Sequence, residues 1–306
     1  MASFAPLASS MFMKRMFSLH DAPKMPENAP ASLHDVDTEQ IEIQLLLEAI
    51  HLKYGYDFRD YARASVKRRI MHRKNLANIA TMAEMQHRIL HDIEFFERLL
   101  LDLSINVTEM FRDPSFYVAL RQEVVPILRT YPFIKIWHAG CSTGEEAYSM
   151  AILLKEEGLY DRTQIYATDF NDVVLQKARE GIYSLEHIKD YTLNYQRAGG
   201  KTAFVEYYTA HHNSILLDRS LKKNMVFANH NLETDGVFGE MHLILCRNVL
   251  IYFNRTLQNR VIRLFHESLC RSGLLCLGSK ETLHFSDNAH AFEEIVADEK
   301  IYKKTL

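Results

Sequence analysis

The chain has 306 residues, of which 47% are hydrophobic and 25% charged, and its formal net charge at pH 7 is -3. This composition is typical of a globular protein with a sizeable core, in one large domain or two modest ones. The near-neutral charge argues against a nucleic-acid-binding protein, and no run reaches the ~18 apolar residues that span a membrane. The four cysteines form no CxxC pair, so we predict reduced thiols, a cytoplasmic protein and no metal site.

Residues 1–36 carry no clear pattern of secondary structure, and we expect a disordered tail. The segment is a poor signal peptide; its serines and Lys-Arg pair also suit a transit peptide, and its several methionines leave a later start open. Order is predicted from Asp37, which forms a capping-box pattern with Gln40 and begins a helix that ends at Gly55. Further helices are predicted from about Asp60 to Lys74, over TMAEMQHRIL, and near His91 over IEFFERLLLDL. Residues 37–105 are therefore predicted to form an all-helical domain.

The second predicted helix is strongly basic. Between Arg59 and Lys74, seven residues are Lys or Arg and only Asp60 is acidic. Arg63, Lys67 and Lys74 fall close together on a helical wheel. The face is either a solvated surface or an electrostatic dock for an acidic helical partner. Nucleic acid is disfavoured because no aromatic residues interleave with the basic ones.

The pattern changes after residue 133, and residues 106–132 are predicted to be a linker that contributes to the site. Strand candidates now alternate with helices at 145–157, 172–180 and 256–270. The strands are IKIWHA, QIYATD, MVFANHN, HLILCR and LLCLGS. This alternation predicts an α/β domain over residues 133–306 with a mostly parallel, Rossmann-like sheet. Residues 183–224 interrupt it, and AFVEYYTA and SILL within them predict a small antiparallel β insertion.

The turn after the first strand, AGCSTGEE, predicts a ligand site. Gly140 permits a tight turn, and Gly144 is expected to let the backbone approach a ligand at the helix start. The turn is neither GxGxxG nor a phosphate loop, and Glu145 and Glu146 would repel a pyrophosphate. A ligand with a cationic centre and an adenosine suits it better, and S-adenosylmethionine (AdoMet) is such a ligand.

Polar residues follow the later strands as well. Asp169 ends the second strand, where related nucleotide folds place an acidic residue for the ribose; the alternative is a helix N-cap. Asn231 and Leu232 follow the third strand, and Arg247 and Asn248 follow the fourth. Each alone is ambiguous, since such groups either cap backbone or touch a ligand.

Several motifs in order, NVTEMFRD, AGCSTGEEAYSMA, ATDFN, HNL, CRNVLIYF and LLCLGSKETL, resemble those of CheR-type methyltransferases over about residues 40–306. NVTEMFR together with CRNVLIYF makes the resemblance specific, although Met110 stands where the family often has Phe. The resemblance implies an AdoMet-dependent enzyme that methylates glutamate side chains of chemotaxis receptors, with S-adenosylhomocysteine (AdoHcy) as product. It implies an AdoMet-methyltransferase fold preceded by the helical domain.

The resemblance also implies roles for individual residues. Cofactor binding is expected from the linker and the strand-end turns, namely from Asn106, Thr108, Arg112, Gly140, Glu146, Asp169, Asn231, Leu232, Arg247 and Asn248. Arg112 and Tyr252 are the candidates for orienting the reacting groups. The alternatives are an ion pair of Arg112 with Glu109 or Asp113, and a purely structural aromatic at Tyr252.

A glutamate is ionised at neutral pH and needs no strong base to attack a sulfonium methyl. The implied partner is the cytoplasmic helical region of a chemoreceptor, docked on Arg63, Lys67 and Lys74. In some family members the insertion also binds a tethering peptide, and the sequence leaves open whether this one does.

Two other functions remain open: a non-catalytic module that binds AdoMet or AdoHcy, and an enzyme acting on a small molecule or nucleic acid. The lack of an Asn-Pro-Pro-Tyr-like motif weighs against nucleic acid.

Overall fold

The computed structural model describes residues 38–104 and 108–305. Four helices come first: α1 (Thr38–Tyr54), α2 (Arg63–Leu76), α3 (Met82–His91) and α4 (Ile93–Ser104). The all-helical beginning predicted from the sequence is confirmed. The tail and Asp37 lie outside the described residues. Of the segment up to Ile41 only the first turn of α1 is described, and Glu42–Leu306 form one compact unit.

Short polar side chains begin the third and fourth helices. The Thr81 hydroxyl accepts the Glu84 N–H at 3.2 Å, and Asp92 accepts the Phe95 N–H at 3.0 Å, so each satisfies a first-turn donor. The apolar faces then pack into one core, which includes Leu46, Ile50, Phe58, Val66, Ile70, Met85, Ile89, Phe95, Phe96, Leu99 and Leu103. This core holds the four helices together.

The predicted linker is largely helical. Helix α5 (Pro114–Ala119) runs through a π-helical turn, Leu120–Val124, into α6 (Val125–Leu128). Pro114 suits the first turn because that position needs no N–H donor. Phe116, Tyr117 and Leu120 are buried, so this segment packs into the main core.

A seven-stranded sheet follows. Its strands are β1 (Ile134–Ala139), β2 (Thr163–Asp169), β6 (Met225–Asn229), β7 (Met241–Cys246), β8 (Leu269–Leu277), β9 (Phe292–Val296) and β10 (Ile301–Lys304), in the order β6-β2-β1-β7-β8-β10-β9. The first five in that order are parallel, and β10 pairs antiparallel with both β8 and β9. The predicted Rossmann-like sheet is confirmed; the antiparallel edge was not predicted.

The sheet separates two apolar layers. Along β1, Ile134 and Ile136 face one layer while Trp137 and Ala139 face the other, and all four are buried. Helices α7 (Glu145–Glu156), α8 (Asp172–Glu180) and α10 (Arg255–Ser268) lie close to the predicted ranges. The chain leaves β1 toward β2 on one side and returns to β7 on the other. Such a reversal of strand order opens a crevice at the carboxyl ends of the strands.

The insertion is a three-stranded antiparallel sheet, β3 (Ile182–Ser184), β5 (Ser214–Leu217) and β4 (Tyr208–His211) in that order, with α9 (Ile188–Arg197) before its last two strands. The prediction of one strand over AFVEYYTA was wrong in its first half, because Phe204–Tyr207 form a 3₁₀ turn. Phe204 and Tyr207 are buried and pack on Tyr195 of α9. This packing against a helix that was not predicted explains the turn.

Candidate active site

One cavity opens at the carboxyl ends of β1, β2, β6 and β7. Ten of the eleven residues predicted for the cofactor and the chemistry line it: Thr108, Arg112, Gly140, Glu146, Asp169, Asn231, Leu232, Arg247, Asn248 and Tyr252. The eleventh, Asn106, lies outside the described residues. Predicted residues up to 144 positions apart in the sequence (Thr108 and Tyr252) therefore meet in one crevice.

The two glycines of the first turn serve packing. Gly140 has φ +77°, and a Cβ there would lie 2.6 Å from Val249 Cγ2, so the turns after β1 and β7 touch. Gly144 has φ +94° and does not line the described cavity. A Cβ on Gly144 would lie 2.9 Å from Ala178 Cβ. Gly144 thus brings α7 close to α8, and a contact of its backbone with a ligand stays a prediction.

Asp169 is a buried carboxylate at the end of β2. The Ser142 N–H donates to its Oδ2 at 2.9 Å and the Asn171 N–H to its Oδ1 at 3.0 Å. Asn171 is the N-cap of α8, accepting the Val173 N–H at 3.0 Å, so the N-cap alternative for Asp169 is wrong. Burial raises the pKa of Asp169 to about 6 in spite of these donors. A ligand with hydroxyl donors would favour the ionised form.

Glu146 belongs to a hydrogen-bonded chain of ionisable side chains beneath the cavity. Its Oε1 lies 2.9 Å from His138 Nδ1, and its Oε2 accepts from Arg247 Nη1 at 3.2 Å. Arg247 also donates to Asp113 Oδ2 at 2.7 Å and lies 3.9 Å above the Phe116 ring. The Arg247 side chain is only 2% exposed, so these carboxylates compensate a charge that is almost removed from water.

This network fixes the charge of Glu146 and Arg247. Burial alone would raise the pKa of Glu146, but the hydrogen bond with His138 and the charge of Arg247 lower it below its ordinary value. Burial opposes the charge of Arg247, yet Glu146 and Asp113 raise its pKa. Both groups are therefore charged at neutral pH, and the cavity floor combines a carboxylate with a guanidinium.

Arg112 and Tyr252 approach the cavity from different elements. Arg112 also lines an adjoining recess, and Asp113, one alternative partner of Arg112, accepts a hydrogen bond from Arg247. Tyr252 is half-buried, and the Arg69 guanidinium lies 5.4 Å from its ring centroid. The Ala62 N–H donates to the Tyr252 carbonyl at 2.7 Å. The helical part of the chain thus supports this wall of the cavity.

The turn after β6 is closed by local hydrogen bonds. Asn231 Oδ1 accepts the Glu233 N–H at 3.0 Å, and the Asn231 N–H donates to Asp235 Oδ2 at 2.9 Å. Leu232 is buried against the second apolar layer. The turn therefore presents a fixed polar and apolar pair to the cavity.

Sequence reasoning missed other cavity residues: Tyr61, Leu103, Ser104, Cys141, Ser142, Phe170, His230, Val249 and Phe253. Several adjoin predicted residues, and their place in the same motifs could have indicated them. Tyr61, Leu103 and Ser104 come from the helical part, and Tyr61 pairs with Phe253 in a β-bridge. No local pattern predicts such a tertiary contact.

The predicted basic face is only partly at the surface. Arg63 is exposed, but Lys67 and Lys74 are half-buried, and Ile70, which falls among them on the same helical face, is fully buried. Other cations of α2 are used internally: Arg73 pairs with Asp102 at 2.5 Å. Fewer Lys and Arg side chains of α2 are therefore accessible to a partner than the sequence of the helix contains.

The charged, polar and apolar groups that line the cavity suit a polar organic cation as its ligand. Arg247 Nε and Ser142 Oγ are buried and without a hydrogen-bond partner in the described part of the chain, which suits a ligand with its own polar groups. Asp169 and Glu146 offer carboxylates, and Leu232, Phe170 and Val249 offer apolar surface. AdoMet, with an amino acid end, a ribose and an adenine, matches this set.

Residues 38–104 and 108–305 show neither a metal-binding cluster nor a membrane-spanning helix. They contain no cluster of three or more His, Cys, Asp or Glu side chains placed to hold a metal ion. None of their helices combines the length and the apolar character required to cross a bilayer.

Comparison with known proteins gives the family. The model of the CheR methyltransferase SAM-binding domain matches residues 106–301, and that of the CheR methyltransferase all-alpha domain matches residues 41–104. A Pseudomonas putida KT2440 protein, provisionally named methyltransferase Cher3, is 55% identical, over 87% of this chain and 97% of its own length. Chemotaxis protein methyltransferases of Listeria monocytogenes and Escherichia coli K12 are 30% and 29% identical, over 75% and 76% of this chain and 85% and 82% of theirs.

The fold and the larger domain match define an AdoMet-dependent methyltransferase (SAM being AdoMet). The chain belongs to the CheR methyltransferase family. The resemblance that the motifs indicated is thus confirmed.

Proposed function

We propose that this protein transfers a methyl group from AdoMet to glutamate side chains of a chemoreceptor, giving glutamyl methyl esters and AdoHcy. The observation that carries the proposal is the convergence of ten separately predicted residues on one cavity. The names of its relatives, chemotaxis protein methyltransferases, support the chemotaxis setting.

The cofactor would be held along the strand ends. Asp169, whose oxygens are oriented by two backbone N–H groups, would accept the ribose hydroxyls. Glu146 would face the amino acid end with Arg247 beside it, and Asn231 and Leu232 would flank the adenine. The unpartnered Arg247 Nε and Ser142 Oγ are further donors for this ligand.

Transfer would need orientation rather than acid-base chemistry. AdoMet supplies a methyl group on a sulfonium, and a glutamate is already a carboxylate at neutral pH. Arg112 and Tyr252 would orient the acceptor oxygen and exclude water from it. Arg112 suits this task because it lines both the cavity and the adjoining recess with Glu109, His187 and Asp190.

The partner would dock on α2. Arg63 is exposed, and Lys67 and Lys74 are half-buried with long stems that keep the charge near water. Charge complementarity of this kind mainly raises the association rate and fixes the orientation of an acidic helix. Arg69 of the same helix lies against Tyr252, so a partner on α2 would be close to the proposed transfer site.

The β insertion offers a second contact. Strand β4 pairs only with β5 in the described sheet, and Thr209, Ala210 and His211 are exposed. An open edge of this type can accept an extended peptide as an additional strand. A tethering peptide at a receptor tail would be such a ligand.

The test uses AdoMet with a tritiated methyl group, the purified chain, and membranes carrying chemoreceptors of the source organism. Methyl esters release volatile methanol in alkali, whereas N-methyl groups do not. We expect base-labile counts in the receptor fraction, and a loss of about 100-fold on Arg112→Ala, because a displaced acceptor loses near-attack geometry.

Arg129→Ala is the matched control. Arg129 belongs to the same linker, is exposed, and pairs with Glu157 at 3.0 Å outside the cavity, so its removal should leave the counts unchanged. Unaltered counts with Arg112→Ala would refute its role. Tight AdoHcy binding without any base-labile transfer would favour a non-catalytic binding module.

A further inference from the structure

The turn after β7 is held by a carboxylate. Glu281 follows β8 and is 5% exposed. Its Oε1 accepts the N–H groups of Val249 at 2.9 Å and Ile251 at 3.3 Å. Its Oε2 accepts those of Asn248 at 3.0 Å and Gly278 at 2.6 Å. The Glu281 side chain thus joins the backbone of the turn after β7 to that of Gly278. Hydrogen bonds accepted by a carboxylate are among the stronger hydrogen bonds in proteins.

This turn requires an anchor. Asn248 has φ +61°, a left-handed conformation that asparagine tolerates better than most residues and that needs support from its surroundings. A 3₁₀ turn, Leu250–Tyr252, follows it, and the first N–H groups of any helical turn lack partners within the turn. Glu281 supplies the missing acceptors.

The packing around the anchor is close. A Cβ on Gly278 would lie 2.8 Å from both the Asn248 backbone N and Glu281 Oε2, and 3.0 Å from Asn248 Nδ2. The Asn248 side chain, Gly278 and Glu281 therefore fit together with no spare space. A shift of the carboxylate would move the turn and the Asn248 side chain with it.

The anchored turn forms one wall of the active site. Asn248, Val249 and Tyr252 line the described cavity, whereas Glu281 does not. We propose that Glu281 is a positioning residue for methyl transfer, because its carboxylate fixes the turn that holds Asn248 and Tyr252 against the cavity. The inference rests on the proposed function, since it gives this turn a task in transfer.

The first measurement is amide hydrogen exchange of the unaltered chain by NMR. We expect the amides of Asn248, Val249 and Ile251 to exchange as slowly as those of β7, although they lie in a turn. Exchange at the rate of an open loop would overturn the inference. This measurement needs no substrate, so it remains decisive if the chain transfers no methyl group and the proposed function fails.

The second measurement compares kinetics of Glu281→Gln with the parent chain. Glutamine keeps the shape but replaces one acceptor oxygen by an NH₂ group, which cannot accept an N–H. We expect kcat for receptor methylation to fall about 100-fold, with KM for AdoMet changed less than about threefold. A variant of lowered stability whose kcat equals that of the parent would overturn the inference, because Glu281 would then be merely structural.

Two further variants make the comparison specific. Glu156 is a control carboxylate whose side chain is 2% exposed and which accepts the Lys201 N–H at 3.0 Å and the Tyr207 hydroxyl at 3.1 Å away from the cavity. Glu156→Gln should lower stability and leave kcat unchanged; an equal loss of kcat would contradict the inference. If Glu281→Gln does not fold, Glu281→Asp keeps a carboxylate on a side chain one methylene shorter, and the same split between kcat and KM is expected. Parent-like kcat in Glu281→Asp would count against the anchor.

Discussion

Asp169 should make cofactor binding dependent on pH. Burial raises its pKa to about 6, and hydroxyl donors from a ribose would favour the ionised form. Affinity should therefore be full above pH 6 and fall as the pH drops below it, approaching about tenfold per pH unit. Isothermal calorimetry with AdoHcy between pH 7.5 and 5 measures this.

The control for that titration is a neighbouring aspartate. Asp172 is exposed in the first turn of α8. Asp172→Asn should retain the pH dependence, whereas Asp169→Asn should bind weakly at every pH. A flat affinity profile in the parent chain would show that Asp169 does not contact the ligand.

Glu145 should make the free energy of unfolding depend on pH. It is 5% exposed, and burial raises its pKa to about 7, although Thr143 donates to it at 2.6 Å. Its folded pKa exceeds the unfolded value, so its contribution to stability is full near pH 4 and is lost as the pH rises through about 7. Glu145→Gln should remove this loss, worth about 3 kcal/mol. Urea unfolding at pH 5 and pH 8 tests it.

In that experiment the free energy of unfolding of the parent should fall between pH 5 and pH 8 relative to that of Glu145→Gln. Glu206→Gln, at an exposed position of the insertion, is the control and should follow the parent. A parent and Glu145→Gln with parallel pH profiles would mean that Glu145 remains ionised in the folded state throughout.

Individual residues were predictable where a motif fixed them. Asp169 and Asn248 follow apolar strands, and the carboxyl ends of parallel strands meet at one edge, so their meeting followed from the pattern. The partners of these residues were not predictable. His138 and Glu281 belong to buried networks whose members are separated in sequence, and only the packed structure brings them together.

At the scale of elements, α2 should govern receptor docking. Charge reversal at Arg63, Lys67 and Lys74 should raise KM for the receptor about tenfold at low salt, with AdoMet affinity unchanged, because such groups act mainly on encounter. The effect should shrink as salt screens the charges. Initial rates against receptor concentration at two ionic strengths measure both.

The matched control reverses three exposed cations elsewhere, Lys223, Arg263 and Arg271, and produces the same change in net charge. Its KM should stay near that of the parent. Equal effects of the two triple variants would assign the result to overall charge rather than to α2.

Helices and strands were predictable where their own hydrophobic pattern was clear. The strands β1 and β7 are mostly apolar, α7 is apolar along most of its length, and α8 and α10 are amphipathic between turn residues, so local sequence specified them. The edge strand β9 and its neighbour β10 are only partly buried, and α9 lies inside an insertion. Their structure depends on the partner that each one packs against, and the sequence pattern does not name that partner.

At the scale of the whole molecule, the helices and the sheet should unfold together. The Asn254 N–H and side-chain NH₂ both donate to Asp60, each at 2.8 Å, and Tyr61 packs on Phe253 with ring centroids 5.0 Å apart. These contacts join the loop before α2 to the segment after β7. Calorimetry should show one transition whose calorimetric and van't Hoff enthalpies agree; two separate transitions would contradict this coupling.

The central claim is that the cavity methylates a glutamate side chain. The most direct measurement is tandem mass spectrometry of a chemoreceptor after incubation with AdoMet and this protein. We predict one added methyl group on glutamate side chains of the cytoplasmic helical region, removed by mild alkali and absent with Arg112→Ala. An alkali-stable methyl group, or a methyl group on another residue type, would contradict the claim.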